Sequence, residues 1–276
     1  MLQKMTDKEL APIPPDFMQI TKLVTDNLTS PYSRAMYAKA LEDFLDWFQN
    51  TGKRGLSKAV VAEYKVVLQG KGYAPATINQ KLSAIRKLAL EAADNGLMDD
   101  QLANGVVRVE GVKGGGVRTG NWLTLEQAQK LLQAPDITTL KGLRDRAILA
   151  VMLGGGLRRS EVATLTFAHI QQREGRWVIV DLVGKRNKVR SVPIPSWAKQ
   201  AIDEWKEKAG LNAGRVFRAM HRGDRIVGDS MTSQAIADVV KKHAEVCGYN
   251  LAAHDLRRTY AKLARKGGAE ISQIQL

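Results

Sequence analysis

The stretch EGVKGGGVRTGN (Glu110–Asn121) carries five glycines in twelve residues. Glycine loses the most conformational freedom on ordering and weakens the interior of helix and strand alike. No packed element is expected to run through this stretch, which reads as a flexible, exposed linker. It divides the 276 residues into two parts with different patterning. The boundaries read as an N-terminal arm over residues 1–19, a helical domain over 20–108, a linker over 109–121 and a second domain over 122–276.

Before the linker the apolar repeats are helical. Ser30-Pro31 joins an N-cap residue to proline at the first helical position. Tyr37, Leu41, Phe44 and Phe48 then recur on one helical face. Ser57 opens a second helix, with Val60, Val61, Tyr64, Val67 and Leu68 inward, and Gly70 and Gly72 close it. Pro75 opens a third, with Ile78, Leu82, Ile85 and Leu88 inward, stopped by Gly96 after Asn95. A short fourth helix is expected over Asp99–Ala103. Pro12, Pro14 and Pro15 make the first 19 residues a loose arm. The first domain is therefore expected to be an all-α helical bundle.

After the linker the pattern is mixed. Thr124 and Gln127 have the spacing of a capping box. Leu143–Leu153 reads as a buried helix, followed by a glycine turn and a helix over Glu161–Leu165. RWVIVDL (Arg176–Leu182) and VRSVPI (Val189–Ile194) read as strands, with GKRNK as the hairpin turn between them. Helices are expected over Ser196–Ala209, Thr232–Cys247 and His254–Lys266. The second domain is therefore mainly α with a small antiparallel β-sheet, an α+β arrangement.

The formal net charge is +14, with 44 % hydrophobic residues. That is ample for packed cores, and so basic a globular chain points to a polyanion, nucleic acid first. Cys247 is the only cysteine, so neither an internal disulfide nor a thiolate metal cluster is expected. This fits a reducing cytoplasm. The N-terminal residues lack the apolar core of a signal peptide. The longest apolar run, AILAVML (Ala147–Leu153), is far short of the about twenty residues a membrane span needs, so no membrane partner is expected.

Three short elements carry candidate chemistry. In GGGLRRSEV (Gly154–Val162), glycines end one helix and place arginines at the start of the next, where the helix dipole already favours anions. Arg158 adds a bidentate fork for phosphate, and Glu161, three residues on, can fix its rotamer. Taken alone, these residues fit an ordinary surface Arg–Glu pair as well. GKRNKVR (Gly184–Arg190) puts Lys185, Arg186, Lys188 and Arg190 on a hairpin turn. Such a turn can lie along a DNA backbone, and Lys185 could protonate a leaving oxygen; a solvated basic turn is the plainer reading. In AHDLRRTYA (Ala253–Ala261), His254 and Arg257 stand at i, i+3 and share a helix face. The carboxylate clusters of metal-dependent nucleases and the GK[ST] of a nucleotide-binding loop are absent from the sequence. Phosphate chemistry here would rest on arginines, a lysine and a histidine.

In this order the three elements resemble the tyrosine recombinase (phage integrase, Xer-like) family. Its motifs run as an arginine in a GLRxSE context, a lysine on a β-hairpin in a GKGNKxR-like context, and HxLRRTxA. Here they read GLRRSE, GKRNKVR and HDLRRTYA. The resemblance implies a SAM-like helical core-binding domain and a catalytic domain of the DNA breaking-rejoining fold. It implies Arg158 and Arg257 as catalytic arginines, Lys185 as the hairpin lysine, His254 as the motif histidine and Glu161 as the support of Arg158. Arg186, Lys188 and Arg190 would contact DNA. The implied activity is site-specific, metal-free strand cleavage and rejoining through a 3′-phosphotyrosyl intermediate, with no cofactor. The implied partners are double-stranded DNA and further copies of the chain, from dimer to tetramer.

The family's nucleophile lies on a later helix than the HxxR motif, which places it past Leu276. Tyr260 follows Arg257 by one helical turn and lies on a stripe with Leu256 and Leu263. It is read as a core residue, because in-line attack needs the phenol on the far side of phosphorus. The sequence thus looks like a family member that lacks its C-terminal end, binds DNA and does not cleave it. Two other readings stay open: a non-catalytic DNA-binding remnant or dominant-negative regulator, and a type IB topoisomerase, which shares this chemistry.

Overall fold

The computed structural model describes residues 17–52, 55–114, 121–184 and 188–270. Lys185, Arg186, most of the N-terminal arm and residues 115–120 of the linker lie outside the described residues. The chain divides into two compact units, residues 1–117 and 118–276, each with its own apolar core.

The first unit is built of five helices among the described residues: α1 (Phe17–Asp26), α2 (Pro31–Asn50), α3 (Lys58–Gly70), α4 (Pro75–Asp94) and α5 (Asp100–Val107). Ser30 and Ser57 cap α2 and α3 through their side chains, accepting from Ser33 N–H and Val60 N–H. Leu41, Phe44, Phe48, Val61, Tyr64, Leu68, Ile78, Leu82, Ile85 and Leu88 are buried together, as the helical periodicity requires. Three features depart from expectation. Helix α1 begins inside the expected arm and buries Ile20 and Val24 against α2 and α4. Helix α5 runs a turn further than Ala103, because Val106 still has a core to enter. The start of the expected linker is packed: Val109 is buried, and the Asn79 amide exchanges two hydrogen bonds with the Val112 backbone, at 2.8 and 2.9 Å.

The second unit is built around α7 (Leu140–Gly155), buried on every side from Ala147 to Gly155. Packed on it are α6 (Leu125–Gln133), α8 (Arg159–Thr164), α9 (Ser196–Lys208), α10 (Ser233–Val246) and α11 (Ala253–Lys266). The Thr124–Gln127 capping box opens α6. The sheet has the order β1-β2-β3, antiparallel throughout: β1 (Ile170–Arg173), β2 (Arg176–Val183) and β3 (Val189–Ile194). Strand β1 was not expected from its polar residues, IQQR. It pairs with β2 through a turn at Glu174 and Gly175, both at positive φ (49° and 73°), the backbone that suits a tight hairpin. Pro193 is tolerated because β3 is an edge strand. Among the described residues no helix is long and apolar enough to cross a membrane.

Candidate functional site

The site is built where α7 stops. Gly154 and Gly155 let that end pack closely: a Cβ at Gly154 would lie 3.0 Å from the Pro195 ring, and one at Gly155 would lie 2.8 Å from the Leu157 side chain. Gly156 takes the left-handed conformation (φ 59°, ψ 31°), and its N–H closes the helix on the Met152 carbonyl at 3.1 Å. The chain reverses, Leu157 is buried, and Arg158 emerges extended as the N-cap of α8.

Glu161, only 4 % exposed, anchors Arg158 twice. Its Oε2 accepts the Arg158 backbone N–H and its Oε1 accepts Arg158 Nη1, both at 2.8 Å. The carboxylate also accepts Arg190 Nη1 on Oε1 at 2.8 Å and Nη2 on Oε2 at 2.9 Å. Burial pushes the Glu161 carboxyl up, but the hydrogen bonds from Arg190 and Arg158 outweigh it and hold the group below its usual range.

Arg190, expected among the DNA contacts, is thus held within the protein by Glu161. A bulge in β2 between Ile179 and Leu182, with Asp181 at φ 56°, sets Leu182 opposite Arg190. Arg190 therefore points to the inner face with Val192 and Ile194, and its guanidinium closes on Glu161. The alternation in VRSVPI carried that signal: positions 190, 192 and 194 share one face of a strand. Lys188 is exposed, and its carbonyl accepts the Gly184 N–H at 2.7 Å, closing the base of the hairpin.

Helix α11 supplies the other half. Asp255 at its third position accepts the Ala252 N–H at 2.9 Å. His254 is exposed in the first turn. Arg257, 9 % exposed, donates from Nη1 to the Gly156 carbonyl at 2.6 Å. Burial, and then repulsion from Arg158, push its guanidinium down to about 10. His254, Arg257 and Arg158 line one cavity of about 900 Å³ with Arg159, Gln234 and Lys241. The adjacent arginines make contacts within the protein: Arg159 with Gln234 at 3.3 Å, and Arg258 with Asp255 at 3.0 Å. Leu256 is fully buried and Leu263 packs on the core, whereas Tyr260 is only half-buried. Its place on the stripe makes it a boundary residue rather than a fully enclosed one.

Two guanidiniums, those of Arg158 and Arg190, thus share the Glu161 carboxylate, while Arg158 and Arg257 line the cavity. The surplus positive charge suits an anion with several acceptor oxygens, and the fork geometry suits phosphate.

Residues 121–276 match the phage integrase family model. The chain belongs to the phage integrase family. Its members are tyrosine-type DNA recombinases, and residues 21–96 match the family's N-terminal SAM-like domain. This integrase is 27 % identical over 269 residues to tyrosine recombinase XerD of Pseudomonas aeruginosa, an alignment covering 95 % of this chain and 85 % of that protein. It is 33 % identical over 160 residues to XerC of Myxococcus xanthus, covering 55 % and 52 %. In fold it is similar to a lambda integrase (75–356) dimer bound to a COC′ core site, with TM-score 0.68, 15 % identity and coverage of 91 % and 86 %. It is also similar to lambda integrase in a tetramer bound to a Holliday junction, with TM-score 0.71, 16 % identity and coverage of 94 % and 74 %.

Proposed function

We propose that this integrase binds double-stranded DNA site-specifically and that its second unit holds one phosphodiester between Arg158, Arg257 and His254. The observation that carries the reading is their convergence on one cavity, with Arg158 and Arg257 tied to the same turn: Arg158 follows it and Arg257 is anchored on the Gly156 carbonyl. The arginines offset the charge on the non-bridging oxygens, which grows as phosphorus becomes five-coordinate. Glu161 keeps Arg158 in place, and Lys185, between β2 and β3 in the sequence, delivers a proton to the leaving 5′-oxygen. The attacking tyrosine forms the 3′-phosphotyrosyl bond as the 5′-oxygen leaves, and reversal of that step rejoins the strand without a cofactor.

In this reading none of the tyrosines in residues 1–276 is the nucleophile. Tyr260 is on the same rigid helix as Arg257, one turn away, and a group beside the non-bridging oxygens is badly placed for in-line attack. Duplex DNA and a dimer-to-tetramer assembly on it are the proposed partners, in keeping with the lambda integrase complexes of the same fold.

The test uses nicked duplexes selected for tight binding to the 276-residue chain, analysed on denaturing gels. Retarded complexes that dissociate on denaturation are expected. A covalent adduct that disappears in Tyr260→Phe overturns the assignment of Tyr260. Relaxation of supercoiled plasmid without sequence preference would instead favour the topoisomerase reading.

A further inference from the structure

We propose that Arg190 is a positioning residue for Arg158 and acts through Glu161. By occupying both carboxylate oxygens, it limits Glu161 to one side-chain hydrogen bond with Arg158 and keeps the Arg158 guanidinium turned to the cavity. The proposal rests on the reading that Arg158 and Arg257 hold a phosphate.

Glu161 has two acceptor oxygens, and two guanidiniums compete for them. Arg190 takes the fork, 2.8 and 2.9 Å to the two oxygens, whereas Arg158 gives Glu161 one side-chain bond, from Nη1 to Oε1 at 2.8 Å. A carboxylate that is 4 % exposed cannot exchange a lost partner for water. With Arg190 gone, its best remaining partner is Arg158, three residues away on the same helix start. A fork–fork pair between them satisfies the buried charge but draws the second nitrogen of Arg158 towards Glu161 and away from the phosphate. The hairpin backbone limits the alternatives: a Cβ on Gly184 would lie 3.2 Å from Arg190 Nη1 and 3.6 Å from Arg158 Nη1. Both guanidiniums are therefore packed beneath the base of the hairpin. The anchor of Arg257 is independent of this arrangement, because it is the Gly156 carbonyl, although the charges of Arg158, Glu161 and Arg190 still act on it.

That independence supplies an internal control. The guanidinium Nε–Hε resonances of the full 276-residue chain are followed by NMR during titration with inorganic pyrophosphate. Those of Arg158 and Arg257 are identified by their loss in Arg158→Lys and Arg257→Lys. In the wild type both should shift. In Arg190→Gln the apparent affinity reported by Arg158 should fall about five-fold or more, the scale of a coupling between interacting residues, while Arg257 keeps its response. Arg190→Lys, which keeps the charge and the stem, should behave like Arg190→Gln, because one ammonium cannot grip two oxygens in a fork. Neutralising the carboxylate in the double variant Arg190→Gln/Glu161→Gln should restore the Arg158 response.

Retention of the Arg158 response in both single variants overturns the proposal. So does joint loss of the Arg158 and Arg257 responses, or failure of the double variant to restore Arg158. If neither arginine responds in the wild type, the phosphate-holding reading itself fails, and the positioning role goes with it.

Discussion

Arg257 donates to the carbonyl of Gly156, 101 residues earlier in the chain, at 2.6 Å. The bond fixes a buried guanidinium against the turn that also launches Arg158. The spacing of the two cations is thus set by one left-handed glycine and not by two independent loops.

Gly156→Ala puts a Cβ on a residue at φ 59°. The left-handed conformation costs an alanine about 1–2 kcal/mol. A loss of that size is expected in urea unfolding, together with weaker pyrophosphate binding. Unchanged stability would mean that the turn has another accessible conformation.

Arg158→Ala should leave most DNA affinity intact. Binding is spread over many phosphate contacts, so removing one cation should cost about ten-fold or less and reduce the salt slope by about one. Fluorescence anisotropy against salt concentration checks both. A near-total loss of binding would show that Arg158 carries affinity as well as positioning.

Anion binding by Arg257 should be lost at high pH. Its folded pKa is lowered to about 10, so the cation persists at neutral pH and is depleted above that value. Affinity for pyrophosphate should then fall by up to about ten-fold per pH unit. Bound anion favours the charged form and moves the loss slightly higher. The effect on stability has the opposite sign. Above the folded pKa the unfolded chain holds more protons than the native state, so this group's contribution to stability rises with pH. An affinity flat to about pH 11 would contradict the burial of this guanidinium.

A second buried network should govern stability. Asp145 on α7 accepts from Arg144 at 2.6 and 3.0 Å and pairs with His243 Nε2 on α10 at 2.9 Å. Asp145→Ala strands Arg144 and should cost roughly 3–5 kcal/mol in urea unfolding. Burial raises the carboxyl pKa of Asp145 and of Glu161, but their partners outweigh it, so both are lowered in the folded state. The stability they confer is present above their unfolded values, 3.8 and 4.5, and drains away as the pH falls through the lower folded ones. Glu161→Gln should flatten part of that acid limb.

Gly142→Ala should be poorly tolerated. A Cβ there would lie 1.7 Å from the Asp136 carbonyl oxygen, so backbone must move. Overpacking of this kind costs about 1–3 kcal/mol or more, and a thermal melt would show it.

The helices of the first unit follow from capping residues and 3.6-residue periodicity, which are local properties of the chain. Helix α1 was hidden because its two buried anchors, Ile20 and Val24, follow a proline-rich run. Strand β1 was hidden because pairing with β2, not the polarity of IQQR, makes it a strand. In the site, Arg158, His254 and Arg257 were legible because each belongs to a short motif at a helix start. The sequence by itself determined these residue types, their faces and the break between the two domains, since all depend on neighbours a few positions apart. Only the tertiary structure decided that Arg190 closes on Glu161 and that Arg257 rests on Gly156. Those partners lie 29 and 101 residues apart. A buried charge takes whichever partner the packed fold brings within hydrogen-bond reach, and spacing along the chain does not encode that distance.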